Sequence, residues 1–198
     1  MICGVVLAGG ASRRMGGPDK ASLMFGGETF LQRAVRRLVP QVDHVLVSAP
    51  ATARDGPSFD PALNGEWVER FGDVTIVPDT LTGGAGPLAG VLAAMEMVSA
   101  DAIVTAAVDT PFFPDDYVSR LAGDGISFAV SEGRVHPVFG FWPIRLKDDL
   151  RTALESGERK ILALADRHGY REVRFPSPPD PFFNVNTPDD LAHARAIA

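Results

Sequence analysis

A single cysteine, Cys3, stands in a chain of 198 residues, which excludes an intrachain disulfide and any cysteine-built zinc cluster. Its place inside the apolar run from Ile2 to Ala8 assigns it to the core and gives it no chemistry. Long hydrophobic runs are missing too, and none approaches the roughly 18 residues of a membrane span. The N-terminal run has no basic stretch ahead of it and meets glycines and two arginines at once, unlike a secretory signal. The expected compartment is therefore the cytoplasm, with no membrane partner. Positive charge is not in excess either. A formal net charge of −6 argues against a nucleic-acid partner, because such binding draws largely on Lys and Arg distributed over phosphates.

Further absences narrow the chemistry. His44, His168 and His193 share no metal-ligand spacing, and no Ser, His and Asp arrangement suggests acyl transfer. No internal repeat or low-complexity tract is evident. The length suits one domain with a substantial core and hardly two independent enzymes.

What is present is alternation. Strand-like apolar runs at residues 2–7, 44–48, 74–77, 102–108, 126–131, 137–142 and 170–175 are separated by helix-like segments, which predicts an α/β domain. The first four runs are short and nearly all apolar, as in the buried middle of a parallel sheet. Ser131-Glu132-Gly133-Arg134 has the form of a hairpin turn, so an antiparallel strand is expected later in the sheet. Phe30, Leu31, Ala34, Val35 and Leu38 recur at helical spacing behind a capping box of Thr29 and Gln32. Further helices are expected at residues 87–98 and 114–121, the latter with Pro114 first and Asp115 and Asp116 in its first turn. Leu146, Leu150 and Leu154 mark a fourth. The last starts at Thr187 and turns Leu191 and Ala194 inward, with Pro188 and Asp190 as start signals. Residues 49–72 read as a surface loop with a short helix near Trp67.

The strongest chemical signal is Leu7-Ala8-Gly9-Gly10-Ala11-Ser12-Arg13-Arg14-Met15-Gly16-Gly17-Pro18-Asp19-Lys20, directly after the first strand. In an open α/β sheet that is the carboxyl edge, where ligands bind. Gly9 and Gly10 let backbone N–H groups approach phosphate oxygens, while Arg13, Arg14 and Lys20 can neutralise a triphosphate. The stretch lacks the G-x-x-x-x-G-K-[ST] pattern and the dinucleotide fingerprint. The second strand ends in Val47 and Ser48 instead of an acid, which argues against a nicotinamide oxidoreductase.

Asp109 follows the fourth strand, so its carboxylate should emerge at the same edge and could hold magnesium together with substrate phosphates. The competing reading has Asp109 capping its own turn through Thr110 and Pro111. Asn184 and Asn186 alternate along an extended segment, so both can face one side and offer amides to an acceptor or to a metal's waters; turn and cap duty competes. His136 reads as a structural histidine, and Arg159 with Lys160 as a solvated pair.

The glycine-rich loop, Gly86-Pro87-Leu88-Ala89-Gly90, Asp109-Thr110-Pro111 and Asn184-Val185-Asn186-Thr187-Pro188 together resemble the molybdenum cofactor guanylyltransferases, in order and over essentially the whole chain. The resemblance implies a Rossmann-like three-layer nucleotidyltransferase fold with a mostly parallel, mixed central sheet. It treats residues 1–198 as one nucleotidyltransferase domain, with about 1–110 for the nucleotide and about 111–198 for the acceptor. It implies GTP and Mg2+ as requirements, molybdopterin or Mo-molybdopterin as acceptor, and partner proteins that deliver or receive the pterin.

Carried over by position, Leu7, Ala8, Gly9, Gly10, Asp79, Pro87 and Leu88 would line the nucleotide, Lys20 would reach its phosphates, and Asp109 would hold the metal. Arg13, Lys20 and Asp109 would be catalytic, and Asn184 and Asn186 would serve the acceptor. Ser48-Ala49-Pro50-Ala51 departs from the family, which can place an asparagine there on the nucleotide. The alternatives are a cytidylyltransferase on the same pterin, a sugar-phosphate nucleotidyltransferase, or a nucleotide-binding module without catalysis. Gly9-Gly10 and Asp19-Lys20 resemble the guanylyl form more than the cytidylyl form, where an alanine commonly takes the second place of the glycine pair.

Overall fold

The computed structural model describes residues 1–8, 20–50, 74–79 and 86–197. The glycine-rich loop, with Gly9, Gly10 and Arg13, lies outside the described residues, as does the short helix expected near Trp67. In chain order, β1 (Ile2–Leu7) precedes a small hairpin, β2 (Met24–Phe25) with β3 (Glu28–Thr29), and helix α1 (Phe30–Leu38). There follow β4 (His44–Pro50), β5 (Val74–Asp79), α2 (Pro87–Met97), β6 (Ala102–Ala107), α3 (Tyr117–Leu121), β7 (Ile126–Ser131) and β8 (Arg134–Pro143). The remaining elements are α4 (Lys147–Glu155), α5 (Ile161–His168), β9 (Tyr170–Arg174) and α6 (Pro188–Ile197).

Seven strands form one sheet in the order β5-β4-β1-β6-β8-β7-β9. The pairs β4/β5, β1/β4, β1/β6 and β7/β9 are parallel, and β8 alone among the described strands of this sheet runs against both neighbours. The mixed, mostly parallel sheet expected from the sequence is thus present. Its antiparallel member arises at the anticipated hairpin, where Glu132 and Gly133 both take positive φ, as a tight turn between strands requires.

Period-2 alternation sends side chains to two faces, and each face has its own core. Val6, Val104, Ala106, Ala129, Phe139 and Phe141 pack under α1, α3 and α6; Cys3, Val5, Leu7, Ile103, Phe128 and Trp142 pack under α2, α4 and α5. The result is three layers. Helix α1 begins in the expected capping box, and buries Phe30, Leu31, Ala34, Val35 and Leu38. Helix α6 begins the same way: Asp190 Oδ2 accepts from the Thr187 amide and Thr187 Oγ1 accepts from the Asp190 amide. Burial of Cys3 pushes its thiol up to about 11, in keeping with an inert core position.

Three local expectations need correction. Helix α3 starts at Tyr117 and not at Pro114, because the Val118 amide is capped from outside by Gln41 Oε1 while Gln41 Nε2 donates to the Pro114 carbonyl. Strand β4 continues through Ala49 and Pro50, pairing as far as Asp79, so the loop begins later than expected. Helix α5 was not anticipated. Its Ile161, Leu164 and Ala165 are buried at helical spacing and Gly169 closes it at positive φ, but the stretch is short.

Gly140 illustrates how tightly the mixed part of the sheet is set. A Cβ there would lie 2.7 Å from ring atoms of Phe128 and 3.0 Å from Trp142 Nε1. Phe128 cannot yield easily, since edge-on contacts from Trp142 and Tyr170 hold its ring. Gly140→Ala should therefore destabilise the fold by about 1–3 kcal/mol, the usual cost of overpacking, measured by urea unfolding. A midpoint equal to wild type would show that this ring packing is slack.

Candidate active site

After β1 the chain builds β4 and β5 on one side and then returns to place β6 on the other side of β1. That reversal opens a crevice at the carboxyl ends of β1 and β6, the usual ligand position of an open α/β sheet. Lys20 enters from the β1 side, at the head of a short 3-10 turn, and Asp109 enters two residues beyond the end of β6. Lys20 Nζ donates to Asp109 Oδ2 at 2.8 Å, with the two side chains 24% and 15% exposed. The pair is screened from bulk water without being sealed from it.

Asn184 and Asn186 complete the cluster from the segment before α6. Asn184 Nδ2 donates to Asp109 Oδ1 at 2.8 Å, and Asn186 Oδ1 accepts from Lys20 Nζ. Between them, the Val185 amide donates to the Asp109 carbonyl at 2.9 Å while its side chain is buried in the core. The expected alternation therefore holds, with both amides turned to one side. Capping of α6 falls to Thr187 and Asp190, and the Asp109 carboxylate bonds to Lys20 and Asn184.

The loop after Asp109 is held by one face of α1 and of the 3-10 turn, Val39–Gln41, that follows it. Arg33 Nε donates to the Pro111 carbonyl, Arg37 Nε to that of Phe113, and Gln41 Nε2 to that of Pro114, at 3.0, 2.6 and 3.1 Å. These three side chains stand four residues apart, so they share one face. Sequence reasoning missed them because an i, i+4, i+8 row of polar residues looks the same when it faces solvent.

The other expected site residues that the structure describes differ in how freely they can meet a ligand. Leu7 is buried and its carbonyl accepts from Val108, while the Ala8 amide donates to Ser48, so both are partly spent on the sheet. The Leu88 side chain is fully buried among core residues, and Pro87 at the start of α2 is exposed. The backbone of Asp79 ends β5 on this edge. Gly9, Gly10 and Arg13 lie in the undescribed loop between Ala8 and Lys20.

His136 proves to be part of a clamp. Its Nε2 lies 2.7 Å from Ser131 Oγ, which donates onward to Asp180 Oδ1, and the same Asp180 oxygen accepts from the Phe182 amide. The hydroxyl, and not the imidazole, is the middle member, so this is not the order of a nucleophilic triad. The clamp ties the hairpin to the segment leading to Asn184, and Phe182 packs against His136, Phe139, Phe175 and Tyr117.

Among the described residues no group of three or more His, Cys, Asp and Glu could hold a metal. A closed protein cage for zinc is thus not present there. The donor set does suit magnesium, a hard cation often held by one or two carboxylates plus phosphate oxygens and water. Asp109 would supply the carboxylate, with the side-chain oxygen of Asn184 beside it, while that of Asn186 accepts from Lys20.

A lysine and an aspartate paired where the strand order of a three-layer α/β fold reverses mark a ligand site, and the relatives of this chain give its class, the nucleotidyltransferases. Residues 4–172 match the MobA-like NTP transferase domain, and the chain belongs to that family. It is 45% identical to the molybdenum cofactor guanylyltransferase of Rhizobium johnstonii, covering 98% of this chain and 91% of that one. The corresponding protein of Cereibacter sphaeroides is 42% identical, covering 99% and 96%. Among solved structures, the molybdopterin-guanine dinucleotide biosynthesis protein A of Archaeoglobus fulgidus superposes with a TM-score of 0.74 at 25% identity, covering 100% of this chain and 98% of that one.

Burial pushes the His136 imidazole below its ordinary value; Asp180 and Glu132 oppose this and Arg134 reinforces it. A histidine with a depressed folded-state pKa takes up its proton more readily when unfolded. Its contribution to stability is therefore complete above about pH 6.5 and is lost as pH falls through the folded value. Urea midpoints of the wild type should drop on acidification below about pH 6.5 by an increment that His136→Gln lacks. Parallel pH profiles for the two proteins would remove His136 from this account.

Proposed function

We propose that the chain transfers GMP from GTP to the terminal phosphate of molybdopterin or Mo-molybdopterin, forming the guanine dinucleotide cofactor and releasing pyrophosphate. The observation that carries this reading is the Lys20–Asp109 pair at the β1/β6 crevice, bracketed by Asn184 and Asn186, in a chain whose full-length relatives are named for this activity.

In the proposed reaction an acceptor phosphate oxygen forms a bond to the α-phosphorus of GTP as the bond to the bridging oxygen breaks and pyrophosphate departs. The attacking group is already anionic at neutral pH, so the site needs no strong general base, and positioning with charge neutralisation carries the rate. Lys20 sits where an ammonium can turn from Asp109 to the leaving phosphates, and Arg13 of the loop would join it. Asp109 would hold magnesium, which when bound supplies Lewis-acid polarisation of the α-phosphate. Asn184 fixes the carboxylate through one oxygen and so leaves its orientation defined when Lys20 moves. Asn186 and Asn184 offer amides toward the acceptor. Residues up to about 110 would then serve the nucleotide and those beyond it the acceptor, with Leu7, Ala8, Gly9, Gly10, Asp79, Pro87 and Leu88 around the nucleoside. Soluble substrates of this kind fit work in the cytoplasm, beside proteins that deliver or receive the pterin.

The test supplies each of the four ribonucleoside triphosphates with Mg2+ and molybdopterin and follows pyrophosphate and the nucleotide-linked product. GTP alone should support turnover; a cytidine-linked product would replace the guanylyl reading with a cytidylyl one. Lys20→Met and Asp109→Asn should each lower turnover by about 100-fold or more. Each should cost about 1–3 kcal/mol of stability, because a mostly buried partner is left without its bond, and urea unfolding should still show a folded protein. Near-normal pyrophosphate release by either variant would take that residue out of the mechanism.

A further inference from the structure

Lys20 and Asp109 stand 89 residues apart in the chain, yet their functional groups meet at 2.8 Å, so something must hold the two segments in register. The Lys20 side is anchored through the small hairpin: Leu23 donates to the Lys20 carbonyl and accepts from the Phe30 amide, which ties the turn to β2, β3 and the start of α1. The Asp109 side runs directly into Pro111 and Phe112. One side chain touches both. Arg33 Nε donates to the Pro111 carbonyl at 3.0 Å, Arg33 Nη1 donates to Glu28 Oε1 at 3.1 Å, and its guanidinium lies over the Phe25 ring at 4.7 Å. Phe25 in turn meets Phe112 edge-on at 5.7 Å.

We infer that Arg33 is a positioning residue for the transfer reaction: it fixes the loop that carries Asp109 against the hairpin that anchors the turn of Lys20. This rests on the reading of those two residues as the working pair. The planar guanidinium is suited to the task, since its fork spans a carbonyl and a carboxylate at fixed angle where a single ammonium cannot. Its side chain is only 17% exposed, which limits its freedom. The neighbouring Arg36 binds the same Glu28, through Nε and Nη2, but is 44% exposed and, among the described residues, makes no hydrogen bond to the Asp109 loop. Arg37 and Gln41 reach the same loop further on, at Phe113 and Pro114, without a bond to the hairpin. Arg33 is therefore the side chain among these four that joins both segments.

The experiment compares Arg33→Met and Arg33→Lys with Arg36→Met, each in the full chain. Backbone hydrogen exchange, which needs no turnover, should rise in both 20–25 and 108–113 for Arg33→Met, and leave 108–113 unchanged for Arg36→Met. Turnover of Arg33→Met should fall by about tenfold or more with the KM for GTP held within about threefold, as expected when reacting groups are misaligned and not lost. Arg33→Lys keeps a charge against Glu28 and guards against simple loss of folding; it should show the same split to a smaller degree. Equal effects of Arg33→Met and Arg36→Met on turnover, or unchanged exchange in 108–113 for Arg33→Met, would overturn the inference. If wild type releases no pyrophosphate from any triphosphate, the functional reading fails, and the exchange comparison still decides whether Arg33 joins the two segments.

Discussion

The contact between the Lys20 ammonium and the Asp109 carboxylate is the constraint around which the rest of the molecule is arranged. It is not there for stability. For a pair so largely withdrawn from water, the cost of desolvating both charges offsets most of the Coulomb gain. What it does is bring together the two chain segments that leave the central strands in the same direction. Parallel register of β1 with β6 places Leu7 opposite Ala107, so the continuations of both strands rise from the same edge side by side. The order of strands matters more than their number here. Had β6 been added beyond β5, Asp109 would stand at the sheet margin, far from the loop that follows β1.

Holding two loops at one edge requires polar partners, because loop backbone has no ladder to satisfy it. The structure meets this need from three directions. Helix α1 and the 3-10 turn that follows it donate from Arg33, Arg37 and Gln41 to the carbonyls of Pro111, Phe113 and Pro114. The segment before α6 adds an amide from Val185 to the Asp109 carbonyl. The Ser131–Asp180 clamp fixes the approach of that segment, with Phe182 seated in an aromatic cluster. The antiparallel strand β8 belongs to this scheme, since its hairpin with β7 carries both Ser131 and His136 to the place where Asp180 passes.

Much of this was legible in the sequence, and the divide between what was and what was not has a physical cause. Strands buried on both faces announce themselves as apolar runs, and Thr29 with Gln32 or Thr187 with Asp190 announce helix starts, because each signal lies within a few residues. Asp109 and Lys20 could be placed at one edge because each follows an apolar run read as a strand of a parallel sheet. The start of α3 was misjudged since its cap comes from Gln41, 77 residues upstream of Val118, and no local pattern records that. Arg33 and Ser131 escaped notice for the same reason: their partners are carbonyls and side chains distant in sequence. Helix α5 was missed for a different one, as 8 residues give too few turns for a convincing period.

The choice of asparagines beside the pair follows from charge. Lys20 and Asp109 cancel, so the described cluster carries no net field to draw in a triphosphate. An acid at residue 184 or 186 would repel such a ligand, and a base would compete with Lys20 for Asp109. A neutral amide avoids both, since it has a donor for the carboxylate and an acceptor for the ammonium. Asn184 uses the first and Asn186 the second. In the proposed reaction the attraction of the triphosphate must then come from elsewhere, from the arginines that precede Lys20 and from the divalent cation that accompanies the nucleotide. The cluster's own part is to keep a carboxylate and an ammonium at a fixed spacing until those charges arrive.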